Sequence, residues 1–286
     1  MKFTAPSDDL LDVLQAAGRA RPSSATMPIL EMVLLERVED TLRVRCTNLE
    51  QHVEATLEPT FDDGPGNGPA AICLPHSRLT DTLKALPDTE VELSVGDEYK
   101  ARMSTGQGTY EMMAMGAEDF PDFPDIDADT EVTVGEAFRE ALDTVSFAVS
   151  QDSLRPAMKG ALLQPVGEGP NVVATDGHRM AQKRLDLDLA GPDLIIPERA
   201  LDILTRLEPN ALAIGDGHVA VRTYQGTVVS RTIDETFPNY ENVIPDHDDG
   251  MLVDREELLG AVRRTGLYTS SMSSTLRFGV EGGQLT

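Results

Sequence analysis

The sequence predicts an α+β fold in which one short unit is repeated along the chain. The unit has an extended segment, then a polar capping residue with apolar residues at helical spacing, then stretches that alternate apolar and polar residues. Helical spacing predicts an amphipathic helix, and alternation predicts strands. Each unit is therefore predicted to be one strand, one helix and about three more strands. The helical segments begin about 56 to 68 residues apart, at Ser7, Pro75, Val134, Pro197 and Val253.

A longer repeat groups these units in pairs. Pro28 of "MPILEMVLLE" aligns with Pro156 of "RPAMKGALLQ", and Thr47 of "TNLE" aligns with Thr175 of "TDGH", both with an offset of 128 residues. Two units therefore make a domain of roughly 120 residues, which is an ordinary domain size.

Stretches rich in proline and aspartate near residues 127 and 249 predict the linkers between these domains. The third copy contains only the first part of the pattern. The predicted domains are residues 1–127, 128–249 and 250–286.

The charge of the chain limits its partners. The chain carries 49 acidic and 24 basic residues, a formal net charge of −25, so its average surface repels nucleic acid and membranes. Nucleic-acid binding would require basic residues gathered on one face. The N-terminus has no apolar signal segment, and no run approaches the ~20 apolar residues of a membrane span. Cys46 and Cys73 lack metal-site spacing, so we expect buried reduced thiols and a cytoplasmic protein.

The stretch "VVATDGHRMA" from residue 172 has two interpretations. Asp176 and His178 could be the acid and base of a hydrolase or nuclease. Alternatively, Asp176 and Gly177 form a tight turn, with Gly177 at positive φ and Asp176 accepting backbone N–H bonds. No serine lies in a G-x-S-x-G elbow, and no histidine has metal-ligand spacing, so the turn is favoured and no metal or cofactor is predicted. The other histidines are His52, His76, His218 and His247.

A plain turn does not explain the His-Arg-Met that follows it. The opening "MKF", "MPIL" after the first helix, "ATDGHRMA" and "FPNYENVIP" together resemble the bacterial DNA polymerase III β subunit family, the sliding clamps. The resemblance covers the whole chain. It implies tandem clamp domains with helices lining a pore and sheets outside, in a head-to-tail homodimer that encircles duplex DNA. It implies a processivity factor, not an enzyme, that tethers the DNA polymerase III catalytic subunit, the clamp loader and other clamp-motif proteins.

A ring that slides must hold DNA by diffuse phosphate attraction without reading bases. Arg199 and Arg206 are seven residues apart in "PERALDILTRL" and are predicted to share one exposed helix face. Arg155 stands where the family has a pore-side arginine, and Arg19 and Arg21 follow the first helix. The predicted DNA contacts are Arg155, Arg139, Arg206, Arg199, Arg78, Lys84, Arg21, Arg263 and Arg264.

In the family, the "ATDGHR" turn forms one wall of a hydrophobic groove that takes a short apolar motif of partner proteins. Methionine and aliphatic side chains adapt to apolar anchors, while polar groups fix the direction of a peptide. Met180 stands where the family usually has leucine, so either the affinity for the motif or the preferred motif is expected to shift. The resemblance implies these groove residues: Met158, Thr175, Gly177, His178, Arg179, Met180, Pro238 and Val243.

The partial third domain leads to a further expectation. A truncated clamp would expose unpaired sheet edges, so we expect this chain not to close a ring by itself and to form the homodimer when full length. The alternatives are a truncated clamp acting only as a protein-binding adaptor, and the hydrolase or nuclease based on His178 and Asp176.

Overall fold

The computed structural model describes residues 1–62, 68–96, 99–124, 126, 130–166, 169–215, 217–246, 250–269, 275–281 and 283–286. The chain divides into two compact units, Met1–Pro238 and Asn239–Thr286. The predicted linker positions at residues 127 and 249 lie outside the described residues.

The larger unit contains the predicted strand-helix-strands pattern. The first copy consists of β1 (Lys2–Pro6), α1 (Ser7–Gly18), β2 (Met32–Val38), β3 (Thr41–Thr47) and β4 (Gln51–Leu57). After the short strand β5 (Thr60–Phe61), the second copy consists of β6 (Ala71–Pro75), α2 (His76–Lys84), β7 (Glu90–Val95), β8 (Lys100–Thr105) and β9 (Gly108–Met113).

Two further copies follow in the same order of elements. The third consists of β10 (Thr130–Thr133), α3 (Glu136–Ser146), β11 (Gly160–Gln164), β12 (Asn171–Thr175) and β13 (Met180–Arg184). The fourth consists of β14 (Leu194–Pro197), α4 (Glu198–Leu204), β15 (Pro209–Gly215), β16 (His218–Thr223) and β17 (Gly226–Arg231). The predicted repeating unit is confirmed.

The helices form where apolar residues recur every three or four positions. In α3 these residues are Phe138, Ala141, Leu142 and Val145, and all four are buried. This face packs against β11, β12 and β13, while α1 packs against β3, β4 and α2. Burying each large apolar side chain stabilises the fold by roughly 1.5–3 kcal/mol, so the sheet-facing stripe fixes each helix in place.

All the strand pairs are antiparallel, and in the described part of the larger unit they form three sheets. Their strand orders are β5-β1-β7-β8-β9, β10-β15-β16-β17-β4-β3-β2-β6, and β13-β12-β11-β14. In the second sheet β17 pairs with β4, with Val228 opposite Val53. One sheet therefore runs from the first predicted domain into the second, while β13 is an edge strand among the described residues.

The smaller unit contains α5 (Arg255–Gly266) and a hairpin of β18 (Val280–Glu281) and β19 (Gln284–Leu285). Asp254 caps α5, since its side chain accepts the N–H of Glu257 at 2.8 Å. A strand was predicted before this helix, and that prediction is wrong, because described residues 250–254 are not in a strand. A strand requires a neighbouring strand for its backbone hydrogen bonds, and these residues have none in the described part of this unit.

The two cysteines are buried free thiols, as predicted. Burial raises the pKa of Cys46 and raises the pKa of Cys73 to about 12, so neither thiol is a nucleophile near neutral pH. In the part of the chain that the structure describes, no helix combines the length and the apolar character needed to cross a membrane.

Candidate partner-binding and DNA-binding sites

Residues 175–179 form a tight turn between β12 and β13. The hydroxyl of Thr175 donates to the carbonyl of Arg179 at 2.8 Å and accepts the N–H of Gly177 at 3.1 Å. Gly177 has a φ of 86°, a region in which a side chain is strained. Thr175 and Gly177 thus determine the shape of the turn.

Asp176 completes the turn as a hydrogen-bond acceptor. Its Oδ1 accepts the N–H groups of His178 and Arg179, both at 2.9 Å, and its Oδ2 pairs with Nε of Arg179 at 2.9 Å. These bonds, first of all the one from His178, lower the pKa of Asp176 to about 2. A carboxylate with so low a pKa is a poor proton acceptor near neutral pH, which disfavours the hydrolase or nuclease interpretation.

Side chains from neighbouring loops lie against this turn. The guanidinium of Arg179 lies over the ring of Phe147, 5.3 Å from its centroid. Nη1 of Arg155 lies 2.8 Å from where a Cβ on Gly177 would stand. Met158 is half-buried at the end of the short 3-10 helix Pro156–Met158, and its N–H bonds to the carbonyl of Arg155. The predicted DNA contact Arg155 therefore borders the predicted peptide site.

Phe147 is a surface residue that the sequence interpretation missed. It follows the last residue of α3, off the buried face of that helix, and is 57% exposed. An aromatic residue just beyond an amphipathic helix and out of register with its apolar stripe is the signal that could have identified it.

Of the other predicted groove residues, two lie in the larger unit and one lies in the smaller unit. Met180 begins β13 and is half-buried, and Pro238 is half-buried at the end of the larger unit. Val243 is exposed in the smaller unit, in the 3-10 helix Glu241–Val243.

The predicted DNA contacts lie mostly on the helices. One of them differs from the prediction: α4 ends at Leu204, so Arg206 lies in the turn after the helix and does not share a helix face with Arg199. The helix ends there because the chain turns directly into β15 at Pro209. The predicted contacts that are exposed on helices are Arg78 and Lys84 on α2, Arg199 on α4, and Arg263 and Arg264 on α5.

Arginines also connect the end of α1 with the α4 region. Arg19 donates from Nη1 to the carbonyl of Arg206 at 3.2 Å, and Arg199 donates from Nη2 to the carbonyl of Arg21 at 2.8 Å. Arg139, on α3, pairs with Glu136 at 3.0 Å. The side chains of Arg19 and Arg199 thus join the first two predicted domains, while the Arg139 pair lies within α3.

Arg21 is less accessible than an exposed DNA contact would be. Its Nε is buried and has no hydrogen-bond partner among the residues that the structure describes. Its charge, together with burial as the larger cause, lowers the pKa of His76, whose Nε2 lies 2.8 Å from the carbonyl of Leu14. The guanidinium of Arg21 is therefore directed toward the interior.

The histidines form no metal site in the described part of the chain, where no group of three or more histidine, cysteine, aspartate or glutamate residues could hold an ion. His52 is buried, and burial lowers its pKa. His247 lies outside the described residues.

Two family models match most of this chain. The model of the DNA polymerase III beta subunit N-terminal domain matches residues 1–124, and that of the central domain of the same subunit matches residues 133–239. The chain belongs to the DNA polymerase III β subunit family. The family's members are sliding clamps, which are processivity factors and not enzymes, so the resemblance in the sequence is confirmed.

Individual proteins similar to this chain are beta sliding clamps as well. The beta sliding clamp of Pseudomonas aeruginosa is 29% identical over 296 residues, covering 100% of this chain and 79% of the relative. That of Vibrio cholerae is 28% identical over 281 residues, covering 94% of this chain and 75% of the relative.

Solved β-clamp structures confirm the α+β clamp fold. The DnaN sliding clamp of Bartonella birtlesii, bound to griselimycin, superposes with a TM-score of 0.90 at 24% identity, over 100% of this chain and 79% of that one. The DNA polymerase III subunit beta of Pseudomonas aeruginosa superposes with a TM-score of 0.85 at 28% identity, over 95% and 75%.

Proposed function

We propose that this protein is the DNA sliding clamp of the replicative DNA polymerase III holoenzyme. It encircles duplex DNA and tethers the polymerase and other replication and repair proteins, which gives the polymerase its processivity. The observation that carries this proposal is the match of two successive β-subunit domains, in order, over residues 1–124 and 133–239. The four-fold strand-helix-strands repeat of the larger unit supports it.

The proposal includes the organisation of the full-length protein. Residues 1–127 and 128–249 form clamp domains I and II, and residues 250–286 belong to clamp domain III. The two family models, which end and begin on either side of residue 127, support the first boundary. The full-length protein acts in the cytoplasm as a homodimeric ring, with the clamp loader as a further partner.

Sequence-independent DNA binding is assigned to basic residues of the helices and of the adjoining loops. In a chain with a net charge of −25, these residues attract phosphates against the average field of the surface. The proposed DNA contacts are Arg155, Arg139, Arg206, Arg199, Arg78, Lys84, Arg263 and Arg264. Arg21 is left out of the proposed set, because its guanidinium is directed toward the interior.

Charge reversal tests the DNA-binding role. The triple variant Arg139→Glu, Arg155→Glu and Arg206→Glu should make the slope of log affinity against log salt less negative by about 3 for duplex DNA, because each lost phosphate contact removes about one released counterion. The measurement is equilibrium binding of the full-length protein to a labelled linear duplex over a range of salt concentrations. Arg102→Glu on β8, an exposed arginine paired with Glu111, is the matched control and should leave the slope unchanged. An unchanged slope in the triple variant would exclude these arginines as phosphate contacts, and no DNA binding by the wild-type protein would indicate an adaptor that binds proteins only.

The peptide-binding role is assigned to the turn of residues 175–179 and its neighbours. Its exposed His178 and Arg179, beside the half-buried Met158 and Met180, offer polar groups next to adaptable apolar surface. The Phe147 ring under Arg179 adds an exposed aromatic face. The proposed peptide contacts are Met158, Thr175, Gly177, His178, Arg179, Met180, Pro238 and Val243.

Alanine substitution of His178 tests this site. His178→Ala should weaken binding of the C-terminal peptide of the polymerase catalytic subunit about tenfold, the effect of losing one central contact. The measurement is fluorescence anisotropy with the labelled peptide. Glu50→Ala is the matched control, because Glu50 occupies the corresponding position of the first-domain turn. Loss of an intrinsic hydrolytic activity in His178→Ala, with peptide binding intact, would favour the enzyme interpretation.

A further inference from the structure

Tyr224 projects from the tight turn between β16 and β17 with 85% of its surface exposed. The turn is anchored to β4, because the carbonyl of Gln225 accepts the N–H of Thr56 at 2.9 Å. Gly226 has a φ of 155°, and a Cβ at this position would stand 1.8 Å from the carbonyl oxygen of Glu54. The turn therefore lies directly against β4, and the backbone that carries Tyr224 is held firmly.

Two recesses flank Tyr224. One, of about 570 Å³, is lined by Tyr224 and Arg206 together with Glu136 and Arg139. The other, of about 380 Å³, is lined by Tyr224 and Arg206 together with Arg19. Both volumes fall within the range of small-ligand sites, roughly 300–1,000 Å³.

The basic side chains of these recesses are only partly ion-paired. Arg139 is paired with Glu136 at 3.0 Å. Arg206 has no carboxylate within ion-pair distance in the described part of the chain, and its neighbour Arg19 is bound to its carbonyl oxygen. Burial, and then the charge of Arg206, lower the pKa of Arg19, so the two guanidinium groups repel each other. An anion between them would relieve this repulsion.

Acidic residues also border the recesses. Asp12 lines the smaller recess, and Glu208 lines both. Both side chains belong to exposed residues, and neither forms an ion pair among the described residues. They remain solvated and reduce the attraction for an anion without filling the site.

We propose that Tyr224, Arg206 and Arg19 form a binding site for an unpaired nucleotide of a DNA strand. The base stacks on the ring of Tyr224, and a backbone phosphate lies between the two arginines. An exposed aromatic ring beside cationic groups is the usual arrangement for single strands, because each base presents a face for stacking. A paired duplex keeps those faces within its own stack and cannot use the ring. The site rests on the proposed function, since Arg206 and Arg139 belong to the proposed DNA-binding set.

Binding of a labelled single strand of deoxythymidines tests the site in the full-length protein. Tyr224→Ala should raise the Kd for this probe about tenfold, the effect of losing one stacked base, while Tyr224→Phe should retain the affinity. Binding of a duplex hairpin of equal length should be unchanged in both variants. Tyr268→Ala is the matched control, because Tyr268 is 89% exposed in the smaller unit. Glu208→Gln should strengthen single-strand binding.

Tyrosine fluorescence gives a second readout, because the chain has five tyrosines and no tryptophan. Single-strand binding should quench the emission of the wild-type protein, and Tyr224→Phe should remove that quenching while preserving affinity. Equal losses on both probes in Tyr224→Ala, or no loss on either, would overturn the single-strand site and leave the clamp function intact. Binding of neither probe by the wild-type protein would contradict both proposals.

Discussion

The turns of residues 47–51 and 175–179 share one set of hydrogen bonds but differ in their surroundings. In each, a threonine hydroxyl donates to the carbonyl four residues later, at 3.0 Å from Thr47 and 2.8 Å from Thr175. In each, the next side chain accepts two backbone N–H bonds, Asn48 from Glu50 and Gln51, and Asp176 from His178 and Arg179. The alignment of these two turns in the sequence is thus confirmed at the level of individual hydrogen bonds.

The difference lies in what covers each turn. Gln51 is fully buried, and its amide donates to Ser230 at 3.4 Å, while the N–H of Arg231 donates to the carbonyl of Glu50. The last residue of the first turn is thus covered by β17, while Leu49 and Glu50 stay exposed. His178 and Arg179 instead lie exposed at the start of an edge strand. The same local structure serves the domain junction in one copy and is available for recognition in the other.

Exchanging the last residues of the two turns should have the largest effect on the free energy of unfolding. Gln51→Arg places an unpaired charge at a fully buried position and should lower the free energy of unfolding by about 3–5 kcal/mol. Arg179→Gln removes an exposed charge and should change it by no more than about 0.5 kcal/mol. Urea denaturation followed by circular dichroism measures both. Equal effects would show that the two turns do not differ in burial.

Exchanging the residues at positive φ should have an intermediate effect on the free energy of unfolding. Gly177→Ala should lower the free energy of unfolding by about 1–2 kcal/mol, because a side chain at this φ is strained and its Cβ would meet Arg155. Leu49 already has a φ of 78°. Leu49→Gly should relieve that strain but also raise the entropy of the unfolded chain. The two effects oppose each other, so the free energy of unfolding should change by less than about 1 kcal/mol. Thermal unfolding of both variants checks the difference.

Replacing Asp176 of the second turn by asparagine, the residue at this position of the first turn, should have the smallest effect on stability. The pKa of Asp176 is lowered from its ordinary value of 3.8 to about 2, so its hydrogen bonds stabilise the folded state fully above pH 3.8. That contribution is lost as the pH falls toward 2, because the unfolded chain then binds the proton more readily. Asp176→Asn should keep both N–H bonds, as Asn48 does, and remove this part of the acid sensitivity. Urea midpoints measured between pH 5 and 2 would contradict this if both proteins lost stability equally.

Much of the fold could be predicted from the sequence because the same local pattern recurs. Apolar spacing located the helices, and the shared threonine located both turns, since these features depend on residues close together in the chain. The family's groove turn was identified for the same reason. The sequence could not show that Phe147 lies under Arg179, because that contact joins segments on different elements.

Other details depended on tertiary context. The end of α4 at Leu204 separated Arg206 from the helix face of Arg199, although periodicity continued through "LTRL". Arg21 is partly buried, and Arg19 and Arg199 donate to backbone carbonyls, because the end of α1 packs beside the α4 region. Sequence patterns within one segment do not show which basic side chains will form hydrogen bonds where two distant segments pack together.

The pairing of β17 with β4 has a mechanical consequence. Separating the first two domains would require breaking a ladder that runs from Gly226 opposite Ala55 to Ser230 opposite Gln51, together with the arginine bonds beside α1. These bonds share any load, so they would fail together and not one after another. We therefore expect this junction to be rigid, and any opening that admits DNA to occur at another joint of the assembled protein.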